Sequence, residues 1–94
     1  MTVTTEQLEG SLMDDIKHGL WILRFGDGKK WQEGEFRDDR KSGAWTIWHE
    51  NGEKASQGEY LNGLRQGRWT FWQEEGAKLG DYEYSAGKLL RQIA

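Results

Sequence analysis

Large apolar side chains recur at every second position in several short runs of this chain. Trp21, Leu23 and Phe25 form one run, Trp45 and Ile47 a second, Trp69 and Phe71 a third, Tyr82 and Tyr84 a fourth. A spacing of two puts side chains on one face of a β-strand. The segments Ala44–His49 and Ala55–Leu61 are rich in strand-forming residues and flank Asn51-Gly52, a strong signal for a two-residue hairpin turn. Asn62-Gly63, between Leu61 and Leu64, repeats that signal. Strands are predicted near 8–13, 17–25, 30–37, 42–49, 54–61, 66–73, 78–85 and 88–93, with turns at both ends of each. The expected fold is all-β: an antiparallel meander of about 7–8 strands in a single elongated or curled sheet.

The pattern has a second period. Gly19, Gly43 and Gly67 are spaced by 24 residues, and Trp21, Trp45 and Trp69 follow them at the same step. Gly34-Glu35-Phe36 becomes Gly58-Glu59-Tyr60, and Asp27-Gly28, Asn51-Gly52 and Glu75-Gly76 share one place in the unit. A gapless repeat of this length signals an array of one supersecondary unit, here a β-hairpin. It divides the chain into an N-terminal segment, 1–9, expected to be frayed, and a repeat domain, 10–94. That domain holds a half repeat at 10–18 and repeats at 19–42, 43–66 and 67–90. With Asn51 and Gly52 as the turn, Glu50 faces Glu53, Trp45 faces Gly58 and Tyr60 faces Gly43. The neighbouring hairpins put Trp21 opposite Gly34, Phe36 opposite Gly19 and Tyr84 opposite Gly67, while Trp69 faces Tyr82. The predicted register therefore sets Trp21 over Gly34 and Trp45 over Gly58, and the turn at Asn62-Gly63 would pair Gly58 with Gly67.

Gly58-Glu59-Tyr60, followed by Gly63, Gly67 and Trp69, resembles the MORN repeat. The trailing aromatics and the Asn-Gly pair resemble its bacterial variant, carried by proteins often grouped as antitoxin-like. The resemblance spans roughly residues 10 to 88. It implies β-hairpins stacked into an elongated sheet used for protein contacts. Asp39 where the repeat has glycine, Arg24 where the other copies have tryptophan, and Tyr82 at the Gly34/Gly58 position depart from the pattern.

Alternation assigns two faces. The first carries Trp21, Leu23, Phe25, Phe36, Trp45, Ile47, Tyr60, Trp69, Phe71, Tyr82 and Tyr84 and is the expected core. On the second, Trp48 faces Ala55, Trp72 faces Leu79 and Arg24 faces Trp31, all near the hairpin tips. Behind them run Glu35, Glu59 and Glu83, with Glu33, Gln57 and Asp81 alongside. Either Trp31, Trp48 and Trp72 pack on one another beside solvated glutamates, or they form a partner surface whose acidic row selects a basic patch. The candidate partner-binding residues are thus Trp31, Trp48, Trp72, Glu35, Glu59 and Glu83.

Composition narrows the chemistry. The chain has 94 residues, a formal net charge of −3, six tryptophans, thirteen glycines, and neither cysteine nor proline. Without cysteine there is neither a disulfide framework nor a thiolate metal site, and His18 and His49 lack metal-ligand spacing. No cofactor or metal is expected. The acidic pairs Asp14-Asp15, Asp38-Asp39 and Glu74-Glu75 read as turn residues, and no phosphate-binding loop or nucleophile–base pair stands out. The charge balance argues against direct nucleic-acid binding and against a membrane surface. No apolar run spans a bilayer and Met1–Gly10 lacks a signal-peptide pattern, which predicts a cytoplasmic protein.

The expected function is a non-enzymatic protein-binding module that inhibits or neutralises one partner protein with a basic patch. It could be antitoxin-like, or a phage-encoded inhibitor of a host defence system such as an anti-CRISPR-type protein. The alternative is a scaffold that self-associates, forming a homodimer through a sheet edge at Lys88–Ile93, where Leu89, Leu90 and Ile93 cluster. Nucleic-acid mimicry by the acidic row ranks below both.

Overall fold

The computed structural model describes the backbone of Val3–Thr4, Ser11–Met13 and 16–94, with side chains from Lys17 onward. Most of the segment 1–9, and with it the predicted fraying, lies outside the described residues, as does the turn at Asp14-Asp15.

Every regular element among the described residues is a strand: β1 Val3–Thr4, β2 Ser11–Met13, β3 Ile16–Phe25, β4 Lys30–Arg37, β5 Arg40–Trp48, β6 Lys54–Leu61, β7 Leu64–Trp72, β8 Lys78–Ser85 and β9 Lys88–Gln92. Strands β3 to β9 form one open antiparallel meander, and the short β1 and β2 both pair with the outer side of β3. No helix occurs among the described residues. All the described strands belong to this one sheet, and no second layer covers it among the described residues.

The hairpin register matches the alternation of rings and glycines. Trp21 is opposite Gly34, Phe36 opposite Gly19, Trp45 opposite Gly58, Tyr60 opposite Gly43, Tyr84 opposite Gly67 and Trp69 opposite Tyr82. The tips are built differently from the two-residue turns predicted. Gly52 N–H donates to the His49 carbonyl at 3.0 Å, and His49 N–H donates to the Glu53 carbonyl at 2.8 Å. The loop is therefore Glu50-Asn51-Gly52, a turn closed by a glycine at φ 91°, and Glu50 does not face Glu53. Equivalent bonds close the loops ending at Gly28 and Gly76. The longer loop offsets the register by one residue, and a bulge restores it: Trp48 pairs with Lys54 while Ile47 pairs with Ser56.

The connections at the other edge are two-residue turns, with positive φ at Asp38 and Asp39, Asn62 and Gly63, and Ala86 and Gly87. From there Leu61 pairs with Leu64 and Glu59 with Gln66, but the register shifts before Gln57 pairs with Thr70. Gly67, at φ 73°, sits in that bulge, a backbone conformation glycine adopts without steric cost. The predicted Gly58–Gly67 pair is therefore absent. The same shift between β4 and β5 brings Gly34 opposite Trp45.

This displacement builds the core. A Cβ at Gly34 would come within 3.0 Å of the Trp45 ring, and one at Gly58 within 3.0 Å of the Trp69 ring. Each indole thus covers the glycine of the preceding hairpin, and comes from the strand on the other side of that glycine from the ring predicted to lie there. Each indole N–H donates to a nearby carbonyl, Trp45 to Glu35 at 2.9 Å and Trp69 to Glu59 at 3.0 Å. Phe36 and Tyr60 meet Trp45 edge-on with centroids 5.2 and 6.2 Å away, and Tyr60 meets Trp69 at 5.0 Å. A cation closes the top of each cluster: Lys17 over Phe36, Lys41 over Trp45 at 4.7 Å, and Arg65 over Trp69 at 5.0 Å. Trp45 and Trp69 are 0% exposed in a single-layer sheet for these reasons. Edge-to-face pairs and cation–π contacts each add on the order of 1 kcal/mol to that burial.

Candidate binding surface

The second face follows from the same register. Alternation in β5 and β7 turns Trp48 and Trp72 away from the core rings, and both are half-buried. The residue opposite each is a lysine, Lys54 for Trp48 and Lys78 for Trp72, with Lys30 opposite Arg24. The expected partners Ala55, Leu79 and Trp31 fall in the bulges instead. Lys30 lies over the Trp48 ring at 5.8 Å and Lys54 over the Trp72 ring at 5.9 Å, each lysine reaching to the next hairpin. Lys30, Lys54 and Lys78 keep the spacing of 24, as do Lys17, Lys41 and Arg65 on the core face. Both cation ladders stand in the sequence at the repeat period, but aromatic alternation draws attention away from them.

The hairpin tips stack. A ring nitrogen of His49 lies 2.9 Å from the Trp72 carbonyl, and Asn51 donates its side-chain amide to the Glu74 carbonyl at 2.6 Å. Two shallow hollows form between successive tips. One, of about 290 Å³, is lined by Lys29, Lys30, Trp48 and Gly52. The other, of about 370 Å³, is lined by Trp48, Gly52, Glu53, Lys54, Trp72 and Gly76. Trp48 contributes to both.

Trp31 does not join this row. Its ring lies 6.2 Å from Phe25, a buried core residue. Among the described residues no ring contact links Trp31, Trp48 and Trp72 to one another.

The acidic rows are only partly available. Glu35 and Glu59 are exposed, and neither carboxylate has an ion pair among the described residues. Glu83 pairs with Arg91 at 2.8 Å, and Glu33 pairs with Lys30 at 2.8 Å. Asp81 is 3% exposed and accepts from Lys78 at 2.6 Å, Thr70 at 2.6 Å and Arg68 at 3.1 Å. The hydrogen bonds from Lys78 and then Thr70 hold its carboxyl below the usual carboxylate range, against the opposing effect of burial; the charges of Lys78 and Arg68 add to the lowering. Asp81 therefore knits β7 and β8 together. The surface left for a partner is the indole pair Trp48 and Trp72 with its lysines, and the exposed glutamates Glu35 and Glu59 behind it.

Among the described residues no group of three or more His, Asp or Glu is placed to hold a metal ion, and no helix is long and apolar enough to cross a membrane. No protein-family model matches the chain, and comparison with curated proteins returned no relative.

Proposed function

We propose that this chain is a non-enzymatic protein-binding module of the MORN-like kind, which inhibits or neutralises one partner by laying the second face of its sheet against it. The observation carrying this reading is the half-buried state of Trp48 and Trp72 beside the hollows between stacked tips. Their rings do not pack together, and they stand at matching positions of the second and third hairpins, on the face opposite the core rings. Indoles in such settings anchor interfaces when a partner fills the space around them. Glu35 and Glu59 supply charge that favours a basic patch on the partner, while Lys30 and Lys54 beside the rings favour an acidic or carbonyl group nearer the tips. An antitoxin or a phage-encoded inhibitor of a host defence protein would work in this way. The self-association reading draws support from β9, exposed along its whole length with Leu89 and Leu90 56% and 57% accessible. A bulge between Glu83 and Tyr84 and the charges of Lys88 and Arg91 oppose strand addition there, so we rank it second.

The test begins with a partner captured from the native host and titrated against folded variants. Trp48→Ala or Trp72→Ala should weaken binding by about 2 kcal/mol. Glu59→Lys should mainly slow association, with a loss that shrinks as salt rises. Wild-type affinity in both tryptophan variants would leave these rings as packing only.

A further inference from the structure

We propose that Arg37 and Arg40 form a carboxylate clamp, which holds an acidic side chain of a protein segment whose apolar neighbour rests on Leu61 and Leu64. The two arginines face each other directly across the Asp38-Asp39 turn. Cα atoms of such a closing pair are about 5.5 Å apart. Like charges at that distance destabilise a hairpin. The fold does not require them, because the matching positions of the next turn are Leu61 and Leu64, also directly opposed.

The acids of the turn do not neutralise the pair. Asp38 lies 3.5 Å from the His18 ring and Asp39 lies 3.4 Å from the Lys17 ammonium. Neither guanidinium makes an ion pair or hydrogen bond among the described residues. Arg37, Asp38, Arg40 and Asn62 line a polar hollow of about 470 Å³. A Cβ at Gly63 would lie 3.7 Å from the Arg40 Cβ, so the neighbouring turn sits beside the stem of that arginine. Two planar donor forks opening on one hollow suit a carboxylate, which each can bind through paired N–H groups.

Two features favour a protein segment over a nucleic acid. Asp38 lines the hollow with the arginines, Glu35 stands two residues before Arg37 in β4, and the chain is net negative, so a polyanion would be repelled where one carboxylate would not. Leu61 and Leu64 come next along the same edge and are 58% and 49% exposed. They lie two strands away, roughly 9.6 Å, about the span of three residues in an extended segment. This edge is opposite the tips that carry Trp48 and Trp72, so the inference does not depend on the indole surface.

The experiment titrates the ¹⁵N-labelled 94-residue chain with the blocked tetrapeptide acetyl-Glu-Ser-Ser-Leu-amide, its Gln analogue and inorganic phosphate. The arginine Nε–H signals and the Leu64 amide report binding. We expect saturable shifts at Arg37, Arg40 and Leu64 with the Glu peptide, about tenfold weaker binding of the Gln analogue, and loss of the response in the folded double variant Arg37→Gln, Arg40→Gln. Equal affinity for the two peptides, or an unchanged response in the double variant, would overturn the clamp. Phosphate binding as tightly as the Glu peptide would assign the pair to phosphate groups and overturn the protein-segment reading. Independently of any ligand, Arg40→Glu should raise the melting temperature at low salt, with a gain that shrinks as salt rises. A lower melting temperature would show that the pair is not in conflict in the free protein.

Discussion

The indole of Trp69 covers Gly58, although the residue directly opposite Gly58 within its own hairpin is Trp45. Gly67 makes this possible by taking a positive φ in the bulge between β6 and β7, where two extra residues on β7 carry Trp69 two positions along and over Gly58. The same relation joins Trp45 to Gly34.

Gly58→Ala is expected to destabilise the fold by about 1–3 kcal/mol, because the added methyl collides with an indole that cannot retreat from its neighbours. Urea denaturation checks it: a midpoint equal to that of the wild type would mean that the ring lies elsewhere.

The two tryptophan rows should differ sharply in what they contribute to stability. Trp45 is fully buried, so Trp45→Ala should cost about 3–5 kcal/mol. Trp48 faces Lys54 and carries Lys30 over its half-open ring, so Trp48→Ala should cost about 1 kcal/mol. Denaturant midpoints of the two variants decide; equal losses would place Trp48 in the core.

Asp81 should govern part of the acid limb of stability. Its carboxyl is held below the usual range by Lys78 and Thr70, so its contribution is present above the unfolded value of about 3.9. That contribution is lost as pH falls through the lower folded value. Asp81→Asn should therefore melt below the wild type at neutral pH, with a gap that closes on acidification. Melting curves from about pH 2 to 7 would show the convergence; a constant gap would assign the loss to packing.

Lys41 carries the opposite sign. Burial, and then the nearby Arg65, lowers its pKa from 10.5. Between the folded value and 10.5 the unfolded chain binds more protons, so stability gains from this group as pH rises there. Lys41→Met should remove that alkaline gain and change stability at pH 7 by no more than about 1 kcal/mol, since an apolar chain can occupy the same place over Trp45. Melting temperatures at pH 7 and in the alkaline range check both statements.

The sequence by itself determined the all-β meander, the position of nearly every strand, and which residues face each other inside each hairpin away from its tip. A 24-residue period in glycine, tryptophan and turn residues leaves one antiparallel register that keeps rings opposite glycines, and the side-chain period of two then fixes both faces. Only the tertiary structure decided how the hairpins lock together. Each tip loop holds one residue more than Asn51-Gly52 suggests, a surplus the bulge at Ala55 absorbs, and a separate bulge at Gly67 shifts the register between β6 and β7 by two residues. A bulge depends on where the partner strand lies, which residues along one strand do not state. For that reason the ring over Gly58 came from the next hairpin, Trp31 joined Phe25 at the core, and Lys54 took the place opposite Trp48. Glu83 could be placed on the second face by alternation alone, but its pairing with Arg91 required β9 to fold back beside β8.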